Sequence, residues 1–170
     1  MLDRFARLLA VGVLALGALA ASDAVALESP SGPVILVVSG AIGETNVGGE
    51  AHFDRAMLMA LPQHETRTHT PWHDGRILFT GPLGRSVLEA VDARGSRMRV
   101  IALNDYASTI PVADFEKHDV ILAMTADGRP LSVREQGPLF VIYPFDDEPD
   151  LLNEVILSRS VWQVAHIVID

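Results

Sequence analysis

The alternation of apolar and polar positions predicts many short strands and few short helices. Val34 to Val38 is a continuous apolar run closed by Ser39-Gly40, which predicts a strand buried on both faces. Gly43 to Gly49 reads as a loop. From Glu50 to Leu61 the apolar residues Phe53, Met57 and Leu61 fall on one helical face, and Pro62 stops the helix. Thr66 to Thr70 carries β-branched residues at alternate positions and predicts a strand. Pro71 to Gly75 breaks it, and Arg76 to Thr80 resumes as a further strand. Pro82 opens a helix to about Ala93, with Leu83, Val87 and Val91 inward and Gly95 as the C-cap. Arg97 to Leu103 alternates as a strand, with Asn104-Asp-Tyr106 at its end. Pro111 to Lys117 predicts a short helix. Val120 to Thr125 and Leu131 to Val133 flank an Asp127-Gly128 turn as a hairpin. After the break at Gly137-Pro138, Leu139 to Tyr143 is a strand, Pro149 to Leu157 a short helix or turn, and Trp162 to Ile169 the closing strand. This pattern predicts an α+β fold. With no repeat and no linker, residues 27–170 read as one domain.

The first 26 residues follow a different rule. Arg4 and Arg7 make a positive start, and Leu8 to Ala20 is an apolar run of about thirteen residues, shorter than the roughly twenty that span a bilayer. Small-x-small sites follow at Ala18-Leu-Ala20 and Ala24-Val-Ala26. Residues 1–26 therefore read as a secretory signal peptide of bacterial type, which places the exported chain in the periplasm. A single-helix anchor is the alternative.

Composition narrows the chemistry. Against 22 Asp and Glu stand 13 Lys and Arg, giving −9, and no basic run offers a nucleic-acid phosphate surface. Cysteine is absent, which removes disulfides, thiolate metal ligands and cysteine nucleophiles. His64, His69 and His73 invite a metal site, but His64-Glu65 to His69 has one residue too many for H-E-x-x-H, and Pro71 bars a helix across the group. No G-x-S-x-G elbow and no phosphate loop occurs. No catalytic residue and no metal ligand is assigned. Asp146-Asp-Glu148 with Asp150 is the densest acidic patch, a solvated loop or a docking face for a basic partner.

An ordered set of segments resembles the molybdopterin-binding domain of the sulfite-oxidase fold. The set comprises Leu61-Pro62, Phe79-Thr-Gly-Pro-Leu83 with Ser86-Val-Leu88, and Ala102-Leu-Asn-Asp-Tyr106. Leu122-Ala123 with Asp127-Gly-Arg-Pro-Leu131, Gly137-Pro138 and Trp162 complete it. Together they run from about residue 34 to 169. The resemblance implies a mixed-sheet domain with the Asn104-Asp-Tyr106 element at a pterin pocket. Two departures stand out. Catalytic members hold molybdenum through a Cys where this chain reads Thr66-Arg-Thr-His-Thr-Pro-Trp72, and they grip the cofactor phosphate through a His-Gly-x-Pro-x-Arg element where it reads Gln136-Gly-Pro-Leu-Phe140. The chain thus resembles a non-catalytic subgroup, small periplasmic pterin-binding regulators (PruR-like) that act on the periplasmic sensor domain of a membrane-bound cyclic-di-GMP signalling protein. Thr68-His-Thr-Pro-Trp72, Ala102 to Tyr106, Ile142-Tyr-Pro144 and Ser158-Arg-Ser-Val-Trp-Gln163 carry that likeness.

The expected ligand is a pterin without molybdenum, a flat ring with a guanine-like hydrogen-bonding edge. Asp105 is the expected acceptor on that edge, Asn104 a second polar contact, and Tyr106 a stacking or donating group. Trp72, an indole in a loop, is the expected stacking surface. Thr70 stands near the position of the missing Cys, with His69 beside it, and Arg134 and Arg159 can meet a ring carbonyl or side chain. Trp162 falls in an alternating strand and reads as core. A binding module is favoured over the alternative, a molybdopterin-dependent oxidoreductase or a subunit of one. A plain carrier with no signalling role is the third reading.

Overall fold

The computed structural model describes residues 27–170, so the signal-peptide reading of residues 1–26 lies outside the described residues. The described residues form a mixed α+β fold built on three sheets. The largest takes β1 (Val34–Gly40), β2 (Ala51–Asp54), β5 (Arg97–Ala102), β6 (Ala107–Pro111) and β11 (Val164–Ile169) in the order β2-β1-β11-β5-β6. Only β1 and β11 run parallel. A second sheet orders β3 (Gln63–His69), β4 (Arg76–Pro82), β8 (Thr125–Ala126) and β9 (Arg129–Pro130) as β3-β4-β8-β9, and β7 (Ile121–Ala123) pairs with β10 (Phe140–Ile142) in a two-stranded ribbon. The helices are α1 (Arg55–Ala60), α2 (Gly84–Ala90), α3 (Val112–Lys117) and α4 (Glu154–Arg159).

The ribbon divides two cores. Leu122, Leu139, Val141 and Tyr143 face the larger cluster, with Leu36, Phe53, Val100 and Phe115. Ile121, Ala123, Phe140 and Ile142 point the other way, into a smaller cluster with Phe79 and Leu131. Strand side chains alternate between faces, so a ribbon lying between two cores must be apolar at every position. Where β4 crosses β7 the backbones touch closely: a Cβ on Gly81 would strike the Leu122 carbonyl.

Several sequence expectations change. Residues 50–61 are a strand followed by a helix. Ala51 and Phe53 are buried on β2, and Asp54 caps α1 by accepting from Met57 N. Strand β1 is buried on one face only, with Leu36 and Val38 inside while Ile35 and Val37 keep surface. Helix α2 stops at Ala90, so Gly95 is no C-cap. Gly95 lies instead against the Asp170 carbonyl, which leaves no room for a side chain. The Asp127-Gly128 turn has both residues at positive φ, as a tight hairpin requires, but its second arm is Arg129–Pro130 rather than Leu131 to Val133. Val133–Glu135 forms a single 3-10 turn, and the closing strand starts at Val164, after Trp162.

Candidate functional site

A groove of about 280 Å³ opens where the β5–β6 hairpin, the end of α4 and the loop after β3 meet. The hairpin is built by its loop residues. Asp105 N–H bonds the Ala102 carbonyl at 3.1 Å and Ala102 N–H bonds the Tyr106 carbonyl at 2.9 Å, closing a three-residue loop. Asp105 takes its left-handed position at φ +66°. Asp tolerates that conformation better than most residues. Asn104 Oδ1 accepts from Tyr106 N–H at 3.2 Å, and the Tyr106 hydroxyl donates across the groove to the Ser158 carbonyl at 3.0 Å.

Helix α4 supplies the opposite wall. Asn153 caps it by accepting from Val155 and Ile156 N–H. Arg159 in its last turn donates to Asp114 Oδ2 at 2.9 Å, and the Tyr143 hydroxyl donates to the same oxygen at 2.9 Å. Burial, with the Asp114 charge beside it, pushes the Tyr143 phenol far above its usual range, so it stays a donor. Leu157, Ser158, Ser160 and Val161 line this side of the groove.

The third wall is aromatic. Trp72 and Trp162 meet edge to face with ring centroids 5.7 Å apart, and both pack on Phe140. Behind Trp72, Thr70 Oγ1 pairs with His73 Nδ1 at 2.8 Å. Burial, opposed by Gln136 and Asp127, holds His73 below its ordinary pKa and so favours the neutral ring. Among the described residues, no charged side chain lines the groove.

The groove brings together three of the residues expected at the site, Trp72, Asn104 and Tyr106. The other three stand elsewhere. Thr70 is buried behind Trp72 and lines a separate hollow with His69, Phe145 and Asp146. Asp105 points out of the hairpin and does not line the groove. Arg134 is exposed on the 3-10 turn Val133–Glu135. Trp162, expected in the core, is 37% exposed and forms a wall, because the chain at Gln163 turns to φ +54° before the strand begins. Leu157, Ser158, Ser160 and Val161 were not assigned to the site, although Ser158 to Gln163 is one of the segments that carry the resemblance. His69 and His73 do not converge: His69 Nδ1 lies 3.1 Å from Asp146, while His73 turns to Thr70.

No family model matches the chain, and no curated protein matches it. Among solved structures, the sulfane dehydrogenase SoxCD from Paracoccus pantotrophus is similar, with TM-score 0.59 and 16% identity. The match covers 79% of this chain and 37% of that one, so the chain spans well under half of its structural neighbour. The likeness gives the fold its class, a sulfite-oxidase-like fold.

That class implies molybdopterin, and the donor set tests the fit. A molybdenum centre of this kind draws on soft thiolate ligands, and the chain has no cysteine. The cofactor's phosphate calls for Arg or Lys, yet the lining is uncharged and Arg159, next to it in sequence, is paired with Asp114. The donor set does not fit the metal or the phosphate.

Proposed function

We propose that this protein binds a free pterin in the aromatic groove and acts by binding rather than by turnover. The observation that carries the reading is the groove itself. Trp72, Tyr106 and Trp162 offer ring faces and edges, Asn104 and Ser160 offer polar contacts, and no charged side chain of the described residues lines it. About 280 Å³ is at the small end for ligand sites, which suits a bicyclic ring better than a larger ligand. The resemblance in sequence extends the reading: the protein is exported to the periplasm, and its loaded form acts on the periplasmic sensor domain of a membrane-bound cyclic-di-GMP signalling protein.

The test is mass spectrometry of the small molecules that co-purify with the protein, with a molybdenum assay on the same sample. A pterin without stoichiometric metal is expected, and one molybdenum per chain overturns the reading in favour of an oxidoreductase. Titration calorimetry with a monopterin locates the site. Trp72→Ala and Trp162→Ala each remove a ring face, which lowers affinity about 5- to 150-fold. Unchanged affinity in both variants rules the groove out. Pull-down from membranes with and without pterin tests the signalling step, and capture of no signalling protein in either condition leaves a carrier.

A further inference from the structure

Strand β3 is the margin of its sheet, with no strand beyond it among the described residues. Neighbouring bonds show which way its backbone groups face. Leu83 N–H bonds the Pro62 carbonyl on the β4 side, whereas His69 N–H bonds Asp146 Oδ1 on the far side. Peptide groups alternate along a strand, so Gln63, Glu65, Arg67 and His69 turn their N–H and C=O away from β4. The His69 end is occupied by Asp146, and Arg76 reaches the Arg67 carbonyl at 3.3 Å. The N–H and C=O of Glu65 and the N–H of Arg67 have no partner among the described residues. An unpaired row of this kind is a template for another strand.

The side chains select which strand. Glu65 and Arg67 are both exposed, and neither has an ion-pair partner among the described residues. We propose that two copies of this chain join edge to edge through β3, in an antiparallel pair whose two-fold axis passes between the two Thr66 residues. In that register Glu65 lies directly opposite Arg67 of the second copy, and Arg67 opposite its Glu65. Both residues turn their backbone groups outward, so both pairs fall at hydrogen-bonded positions, with the non-bonded Thr66 pair between them. Arg76 leaves the Arg67 carbonyl, an exposed contact, to let the ladder form. The neighbouring registers of the same parity are rejected. One sets Glu65 against Glu65, the other Arg67 against Arg67, and like charges directly opposite repel. The edge therefore carries both the attraction for its own copy and the discrimination against slipped pairings.

A strand edge buries less than the roughly 1,200–2,000 Å² of a stable interface, so the dimer dissociates on dilution. Sedimentation velocity of the exported protein, from micromolar to millimolar, tests it. A monomer–dimer equilibrium is expected. Glu65→Arg and Arg67→Glu, each replacing attraction by repulsion at two symmetric pairs, weaken association about tenfold. The double reversal restores it. Glu65→Pro removes an outward N–H that β4 does not use, so it abolishes the dimer while circular dichroism stays unchanged. A monomer at every concentration overturns the proposal. So does a dimer that both single reversals leave intact, that the double reversal fails to restore, or that Glu65→Pro does not disturb.

Discussion

Replacing Arg159 by Leu removes the cation that fixes the end of α4. In the native protein Asp114 Oδ2 accepts two bonds, one from Tyr143 and one from Arg159, each 2.9 Å long. The Arg159 and Asp114 side chains are 22% and 14% exposed, so the pair is neither on the surface nor fully enclosed. Exposed pairs contribute about 0–1 kcal/mol, while stranding one partner of an enclosed pair costs about 3–5 kcal/mol. The intermediate burial places Arg159→Leu at about 2 kcal/mol. For a chain of this size that is a fall in Tm of about 4–8 °C. Urea unfolding followed by far-UV circular dichroism measures it, with a lower midpoint and an unchanged slope. The double variant Asp114→Asn, Arg159→Leu recovers about half, since no charge is then left unpaired. Leu157, Ser158 and Ser160 ride on this helix end, so pterin affinity falls in Arg159→Leu even though every aromatic wall is intact. A loss below about 0.5 kcal/mol, with no recovery in the double variant, refutes the reasoning and makes the pair an ordinary surface contact.

The hairpin loop yields a second expectation. Asp105→Val forces a β-branched residue into the left-handed region at a cost of about 1–2 kcal/mol, whereas Asp105→Gly is neutral or stabilising, and neither changes pterin affinity by calorimetry. The third concerns acid. Backbone N–H groups of Met57, Gly32 and Ser31 hold the Asp54 carboxyl at about 2, below its ordinary 3.8. The folded value is depressed, so this stabilisation is complete above about pH 4 and disappears as pH falls through 2. Urea midpoints measured against pH show that decline, and Asp54→Asn flattens it.

Elements whose signal is local were legible in the sequence. The alternation in Thr66 to Thr70, the apolar run at Val34, and the Asp127-Gly128 turn depend on neighbours a few residues away, and they appear in β3, β1 and the β8–β9 hairpin. The failures share a cause. Residues 50–54 have a helical pattern of apolar positions, but pairing with β1 across the chain draws them into β2. Pairing back onto β5 through the hairpin likewise creates β6 from Ala107–Pro111, a stretch without strand patterning. At the candidate site, Trp72 stands out in the sequence as an indole after Pro71, and the structure places it on the groove wall, packed on Phe140. Asp105 misled because a left-handed turn and a ligand carboxylate call for the same residue type, and only φ tells them apart. Trp162 misled because alternation through Val164 conceals the twist at Gln163 that turns its ring outward.

The chain has two tryptophans, and both stand at the groove with ring centroids 5.7 Å apart. All indole emission from this protein therefore originates at one place. A pterin absorbs where indole emits, so a ring stacked there quenches by energy transfer the entire ultraviolet fluorescence, with no distant residue to dilute the change. The edge-to-face pair also couples two transition dipoles, which gives circular dichroism a signature of the wall's geometry before any ligand arrives. The protein carries its own optical probe, placed by the packing of Trp72 and Trp162 on Phe140.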